Sequence, residues 1–182
     1  MMSEQGCAWK IRQASANDVD ALSLIGSSTF LETFAGVLAG DAIVAHCARV
    51  HNPSTYRELL SGGAIAWLAE VDPGAAPIAY ALAAQPDLLV SMDGDIELKR
   101  IYALSRFHGS GLGAALMDTV VQFASAYQRL LLGVYSVNER ARAFYIKNGF
   151  EKVSDRQFDI GGVLYDDVIL AKTLTPKGSL TS

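Results

Sequence analysis

The stretch Arg129–Val137 (RLLLGVYSV) limits the fold more than any other part of the chain. It has strand length and is apolar almost throughout, so neither side is left for water. Such a strand must be covered on both faces, and helices are the usual cover. The flanking sequence supplies them. Leu112, Leu116, Val120 and Phe123 recur at helical spacing, predicting a helix over about Leu112 to Tyr127. Asn138 and Glu139 open another helix, which Asn148 and Gly149 close.

The rest of the chain reads in the same terms. AWKIRQ (Ala8 to Gln13) alternates as a short strand. Ser15 to Asp18 supply capping chemistry, and Val19, Leu22, Ile25 and Phe30 follow at helical spacing. A second helical region spans about Asp41 to Leu60, interrupted where Pro53 cannot sit inside a helix. After Gly62 and Gly63, AIAWLAEV and IAYALAAQ form a hairpin around DPGAAP. IELKRIYAL is a further strand, and strands over about Lys152 to Ile160 and Val163 to Thr173 finish the chain. The tail TPKGSLTS reads as a frayed end. The pattern predicts a single α/β domain over residues 1–182, with its core at about 9–174 and a mixed sheet.

Composition narrows the class. The chain is 51% apolar, enough for a full core in 182 residues. A net charge of -4 argues against nucleic acid as a partner. Cys7 and Cys47 form no CxxC pair, which points to free thiols in a reducing compartment. His46, His51 and His108 show no metal-ligand spacing, so no metal is expected. The N-terminus lacks a signal-peptide core, and no apolar run reaches membrane-spanning length. The expectation is a cytoplasmic protein with no membrane partner.

The functional signal is RFHGSGLGAALMDTVVQFA, Arg106 to Ala124, where glycines at 109, 111 and 113 feed straight into a helix. Glycines alone can serve close packing. A helix N-terminus, however, offers unpaired N–H groups and a partial positive charge, which suits a phosphate. Arg106 and His108 can add a cation or a donor. Two phosphate motifs fail here. Walker A needs Lys then Ser or Thr, but Ala114 and Ala115 follow Gly113. The dinucleotide fingerprint needs GxGxxG and an acidic residue after the next strand, but the spacing is GxGxG and Ser136-Val137-Asn138 follows.

Arg106-x-x-Gly109-x-Gly111, between a strand and a helix, resembles the pyrophosphate loop of the GNAT superfamily of acyl-CoA-dependent N-acetyltransferases. A second block, VYSVNERARAFYIKNGFEKV, is similar to that family's N-x-x-A-x-x-F/L-Y-x-x-x-G-F signature through Asn138, Ala141, Phe144, Tyr145, Gly149 and Phe150. The resemblance runs from about Trp9 to Leu174. Within the superfamily, STFLETFAG, IELKRIYAL and LGVYSVNERARAFYIKNGF look similar to the PaiA-type spermidine/spermine acetyltransferases.

This resemblance implies a GNAT fold: a mixed, mostly antiparallel twisted sheet of about seven strands flanked by helices. It implies an enzyme that moves the acetyl group of acetyl-CoA to a primary amine of a small molecule, such as a polyamine, by direct attack. Backbone groups of Gly109, Ser110, Gly111, Leu112, Gly113 and Ala114 would hold the pyrophosphate, beside Arg106 and His108. Ile101, Tyr102 and Ala103 would pair with the pantetheine arm, and Asn138 would bond it from the other side. Tyr145 would serve the leaving thiolate, with Phe144 left to the core.

The amine must also lose a proton, because at a pKa of about 10.4 only roughly one molecule in a few thousand is neutral at pH 7. The resemblance implies a Glu here in several polyamine-acetylating relatives, where this chain has Lys99. Glu97 lies on the same side of the strand and is the candidate base. The alternative is that Glu97 and Lys99 form a solvent-facing pair. Lys99 in the acceptor pocket would disfavour a polycation. Glu32, Asp41, Asp159, Asp166 and Asp167 are carboxylates that could attract a cation or could be ordinary surface charge.

Other functions stay open on sequence grounds. The acceptor could be a protein N-terminus or a lysine. The chain could also be a non-catalytic acyl-CoA sensor. Family members often dimerise, and the apolar composition allows a homodimer.

Overall fold

The computed structural model describes residues 8–174, so Cys7 and the TPKGSLTS tail lie outside the described residues. In chain order the elements are β1 (Ala8–Gln13), α1 (Val19–Phe34), α2 (Gly40–Val50), α3 (Pro53–Ser61), β2 (Ile65–Asp72), β3 (Pro77–Ala84), β4 (Asp95–Ala103), α4 (Leu112–Ala124), β5 (Arg129–Tyr135), α5 (Glu139–Lys147), β6 (Glu151–Ile160) and β7 (Val163–Thr173). The strands form one seven-stranded sheet in the order β1-β2-β3-β4-β5-β7-β6. The β4–β5 pair is parallel, while β1–β2, β5–β7 and β6–β7 are antiparallel. The sheet is mixed and mostly antiparallel, as the resemblance implies.

Burial follows strand position. The middles of β2 and β3 are buried on both faces, and β5 is buried along most of its length. The edge strands β1 and β6 are mostly exposed or half-buried. Pro53 both ends one helix and starts the next: it sits at the start of α3, whose cap is Asn52 accepting from Thr55 N–H at 2.9 Å. Helix α4 stops at Ala124, short of the expected Tyr127. There Ser125 Oγ donates to Gln122 O at 2.7 Å and competes with the helix for that carbonyl. Leu112, Leu116 and Val120 are buried as expected, while Phe123 is only half-buried.

By its contacts the chain divides into two units, one of residues up to Leu82 with Arg100–Asp118, the other of Ala83–Lys99 with Thr119 onward. In the first, Leu22, Ile25, Leu68, Leu82, Leu112 and Leu116 are fully buried, each such side chain contributing about 1.5–3 kcal/mol. Arg12 fastens β1 to its neighbours. Its guanidinium meets Glu70 of β2 at 2.6 and 3.0 Å and Asp18 at 2.7 and 3.0 Å. Asp18 also accepts from Ser15 N–H, closing a capping box at the entry to α1.

In the second unit, Leu131, Ile169 and Ala171 pack with Leu88, and Val90 lies against them. Arg129, at the start of β5, grips Asp95 at the start of β4 at 2.6 and 2.9 Å. This fork sets the parallel register, Asp95↔Arg129 through Glu97↔Leu131.

Candidate active site

The glycine loop is shaped by its own backbone. Gly109 and Gly111 have φ of +82° and +84°, a region that L side chains rarely adopt. A Cβ added at either would meet nothing within 4 Å, so the space beside the loop is open. Among the described residues, the backbone N–H groups of Gly109, Gly111, Gly113 and Ala114 have no hydrogen-bond acceptor. Leu112 N–H has only a long contact of 3.4 Å to Ser110 Oγ. These are the orphan donors at the start of α4, and they fit an anionic pyrophosphate.

The expected side chains do other work. His108 Nε2 donates to Ala103 O at 3.0 Å, and Ser110 Oγ donates to Phe107 O at 2.7 Å, so both hold the loop in shape. Arg106 is exposed, with its guanidinium 5.2 Å from the centre of the Phe107 ring. Leu112 is fully buried, which leaves only its backbone for a ligand. Glu32 of α1 secures the entry to the loop, taking the Ser105 N–H at 2.8 Å and its hydroxyl at 2.6 Å.

Strand β4 changes character midway. Asp95 to Leu98 are buried, and Lys99 to Ala103 are half-buried. The register with β5 ends at Glu97↔Leu131, although β5 stays paired with β7 out to Tyr135↔Asp167. Leu98 and Lys99 are therefore unpaired with β5. A strand edge released in this way can accept an added extended ligand.

Glu97 is buried, so the expectation of a solvent-facing pair with Lys99 fails, although the pair itself exists. Glu97 Oε2 accepts from Lys99 Nζ at 2.7 Å and from Asp87 N–H at 3.1 Å. Lys99 also reaches Asp87 at 2.8 Å. Burial pushes the Glu97 carboxyl up, and Lys99 offsets part of that.

On α5, Asn138 is the N-cap, and its side chain accepts from Ala141 N–H at 3.1 Å. Its oxygen is thus engaged in capping the helix. Phe144, expected in the core, is only half-buried, while Tyr145 is buried. Tyr145 packs edge-on against both Phe144 and Phe150, at 5.5 and 5.8 Å between ring centres.

The five carboxylates that could have drawn a cationic acceptor have local partners. Besides Glu32, Asp41 accepts from Ala42 N–H, Asp159 from Gly162 N–H and Asp166 from Gln157. Asp167 meets Arg156 at 3.0 Å, and burial pushes its carboxyl up. Among the described residues no group of three His, Cys, Asp or Glu side chains could hold a metal. No helix among them is long and apolar enough to cross a membrane.

Sequence reasoning passed over a cluster behind β3 and β4. Arg100 is half-buried with its guanidinium 5.2 Å from the centre of the Tyr56 ring. Tyr56 Oη is 2.9 Å from His51 Nδ1. His46 stacks on Phe30 at 4.2 Å, and Tyr80 stacks on Tyr102 at 6.1 Å. Burial, followed by the Arg100 charge, pulls His51 down to about 3; burial, then Arg49 and Arg100, pulls His46 down to about 4. The available signal was adjacent Lys99 and Arg100, which puts a charge on each face of an otherwise apolar strand.

Comparison with known proteins names the family. Residues 39–150 match the model of the acetyltransferase (GNAT) family. An uncharacterised N-acetyltransferase of Mycobacterium bovis is 30% identical over 159 residues, covering 86% of this chain and 98% of its own. The crystal structure of the PaiA N-acetyltransferase from Thermoplasma acidophilum in complex with coenzyme A superposes with a TM-score of 0.73 at 18% identity, over 91% of this chain and 99% of that one. The ribosomal-protein-S18-alanine N-acetyltransferase from Escherichia coli gives 0.66 at 16% identity, over 96% and 99%. With more than half its length matched by the family model, the chain belongs to the GNAT family and is an acetyl-CoA-dependent N-acetyltransferase of that kind.

Proposed function

We propose that this enzyme acetylates the primary amine of a small molecule. The observation that carries the reading is the pairing of two features: a left-handed glycine loop whose N–H groups lack acceptors, and a β4 edge released from β5. The bound co-substrate would supply an activated acetyl group. The N–H groups of Gly109, Gly111, Leu112, Gly113 and Ala114 would hold its pyrophosphate through charge-assisted hydrogen bonds, about 1.5–3 kcal/mol each, the Ser110 N–H being turned to Phe107 O. The backbone of Ile101, Tyr102 and Ala103 would pair with its arm as an added strand, and Asn138 would bond that arm through its amide. The Tyr145 hydroxyl would hydrogen-bond the departing thiolate. Glu97 would take the amine proton, directly or through water, at Oε1, the oxygen that Lys99 and Asp87 leave aside.

Of the five carboxylates only Asp167 meets a cation, Arg156, while Glu32, Asp41, Asp159 and Asp166 accept from neutral donors and keep their charge, so the acceptor panel includes a polyamine. The test is mass spectrometry of products after incubation with acetyl-CoA and a panel of spermidine, alkylamines, arylamines, amino acids and short peptides. Acetylation of a small amine is expected. Acetylation of peptides alone would move the assignment to a protein acceptor. Binding of acetyl-CoA with no product from any amine would make the chain a sensor.

A further inference from the structure

Arg100 is a cation without an anion. Its Nη1 is buried and meets no protein partner, and among the described residues no carboxylate forms an ion pair with it. Arginine side chains withdrawn from water are normally paired. The groups around this one do not supply a counter-charge. Tyr56 offers its ring face, and His51 and His46 stay neutral near pH 7. One further polar atom of this cluster is buried and unpartnered, His46 Nδ1, while the hydroxyl of the fully buried Tyr80 interacts with that of Tyr56. Ring contacts join these groups: Tyr56, beneath the guanidinium, lies 6.2 Å from the Tyr80 ring, and His51, 2.9 Å from the Tyr56 hydroxyl, lies 5.7 Å from the His46 ring. A guanidinium with an idle N–H, in one cluster with an idle imidazole nitrogen, is the donor set of an anion receptor.

We propose that Arg100, assisted by His46, binds a carboxylate carried by the acceptor amine, so that the substrate class is amino-acid-like. The inference rests on the small-amine reading above and specifies its acceptor. One fixed positive charge matches one carboxylate; a phosphate dianion would call for a second cation, and the neutral imidazoles do not provide it. Arg100 is also one residue before Ile101, where the co-substrate arm is proposed to pair, so a carboxylate held there lies on the strand that presents the acetyl donor. A site that buries donors for one group rejects analogues lacking that group, because the donors are then left unpaired.

The test is calorimetric binding of N-acetylglycine, N-acetylmethionine and N-acetylphenylalanine to the CoA-loaded protein, each against its carboxamide. At least one acid should bind about tenfold or more tightly than its amide. Arg100→Met should erase that preference, and Arg100→Lys, which keeps the charge but loses the fork, should keep part of it. The acid–amide comparison needs only the native chain, so it stands even if Arg100→Met does not fold. Equal binding of acids and amides, no binding of either, or a preference that survives in Arg100→Met would overturn the proposal. Amine turnover reports separately. Selective acid binding without acetylation of any amine keeps this receptor and removes the small-amine reading, whereas brisk acetylation of alkylamines with no acid preference does the opposite.

Discussion

Arg100 lies 5.2 Å from the centre of the Tyr56 ring, and the Tyr56 hydroxyl lies 2.9 Å from His51 Nδ1. A cation, a phenol and a neutral imidazole thereby meet in one cluster. Helix α1 makes room for them with a glycine. A Cβ at Gly26 would press on Tyr56 Oη and come within 2.5 Å of His51 Nδ1. Gly26→Ala should therefore destabilise the protein by about 1–3 kcal/mol in urea unfolding. A gain of about 1 kcal/mol, as helix propensity alone would give, contradicts this packing.

The buried imidazoles set an acid limit. The native pKa of His51 is depressed from 6.5 to about 3, so the unfolded chain binds its proton first. The contribution is intact above pH 6.5 and is lost as the pH falls towards the native value. Between pH 7 and pH 4, His51 should cost about 3 kcal/mol of stability at 1.36 kcal/mol per unit. His51→Gln should flatten that slope in denaturant titrations taken at several pH values. An unchanged slope means that His51 titrates normally in the native protein.

Tyr145→Phe removes the hydroxyl proposed to meet the departing thiolate while keeping the ring between Phe144 and Phe150. Unfolding should be nearly unchanged, and kcat should drop about 100-fold, the low end of general-acid contributions. An unaltered kcat would assign Tyr145 to packing alone.

Glu97 and Lys99 make opposite demands on pH. Burial raises the Glu97 carboxyl and Lys99 lowers it, so removing Lys99 raises it further. With Glu97 as base, activity rises with pH as the carboxyl ionises. Lys99→Met should shift that rising limb to higher pH, and Glu97→Gln should remove it and lower kcat about 100-fold or more. Full activity in Glu97→Gln, with the limb in place, would leave Glu97 as a structural partner of Lys99 and assign the proton to water.

Much of this was legible in the sequence, for physical reasons. The apolar run of β5 dictated cover on both faces, and Leu130, Leu131, Leu132 and Val134 are indeed buried. Pro53 and the Asn148-Gly149 pair marked helix ends because their backbone chemistry permits little else. The glycines at 109 and 111 marked a turn into a helix, while their positive φ is visible only in the structure. What stayed hidden depended on partners far along the chain. Glu32 looked like an acceptor carboxylate until Ser105, 73 residues away, claimed both its oxygens. Helical spacing separates Phe144 from Tyr145 by about 100°, but it does not say which of the two faces inward. Arg100 was passed over because an arginine on a strand is normally paired, and the lack of a partner is visible only in three dimensions.

The most direct measurement is thiol release from acetyl-CoA as a function of amine concentration, for the native chain and for Gly111→Val. A valine at φ +84° strains the loop and places methyl groups where the pyrophosphate is proposed to lie. The account predicts saturable, amine-dependent thiol release, with the KM for acetyl-CoA raised about tenfold or more in Gly111→Val. No amine-dependent release, or an unchanged KM in a folded Gly111→Val, would contradict it.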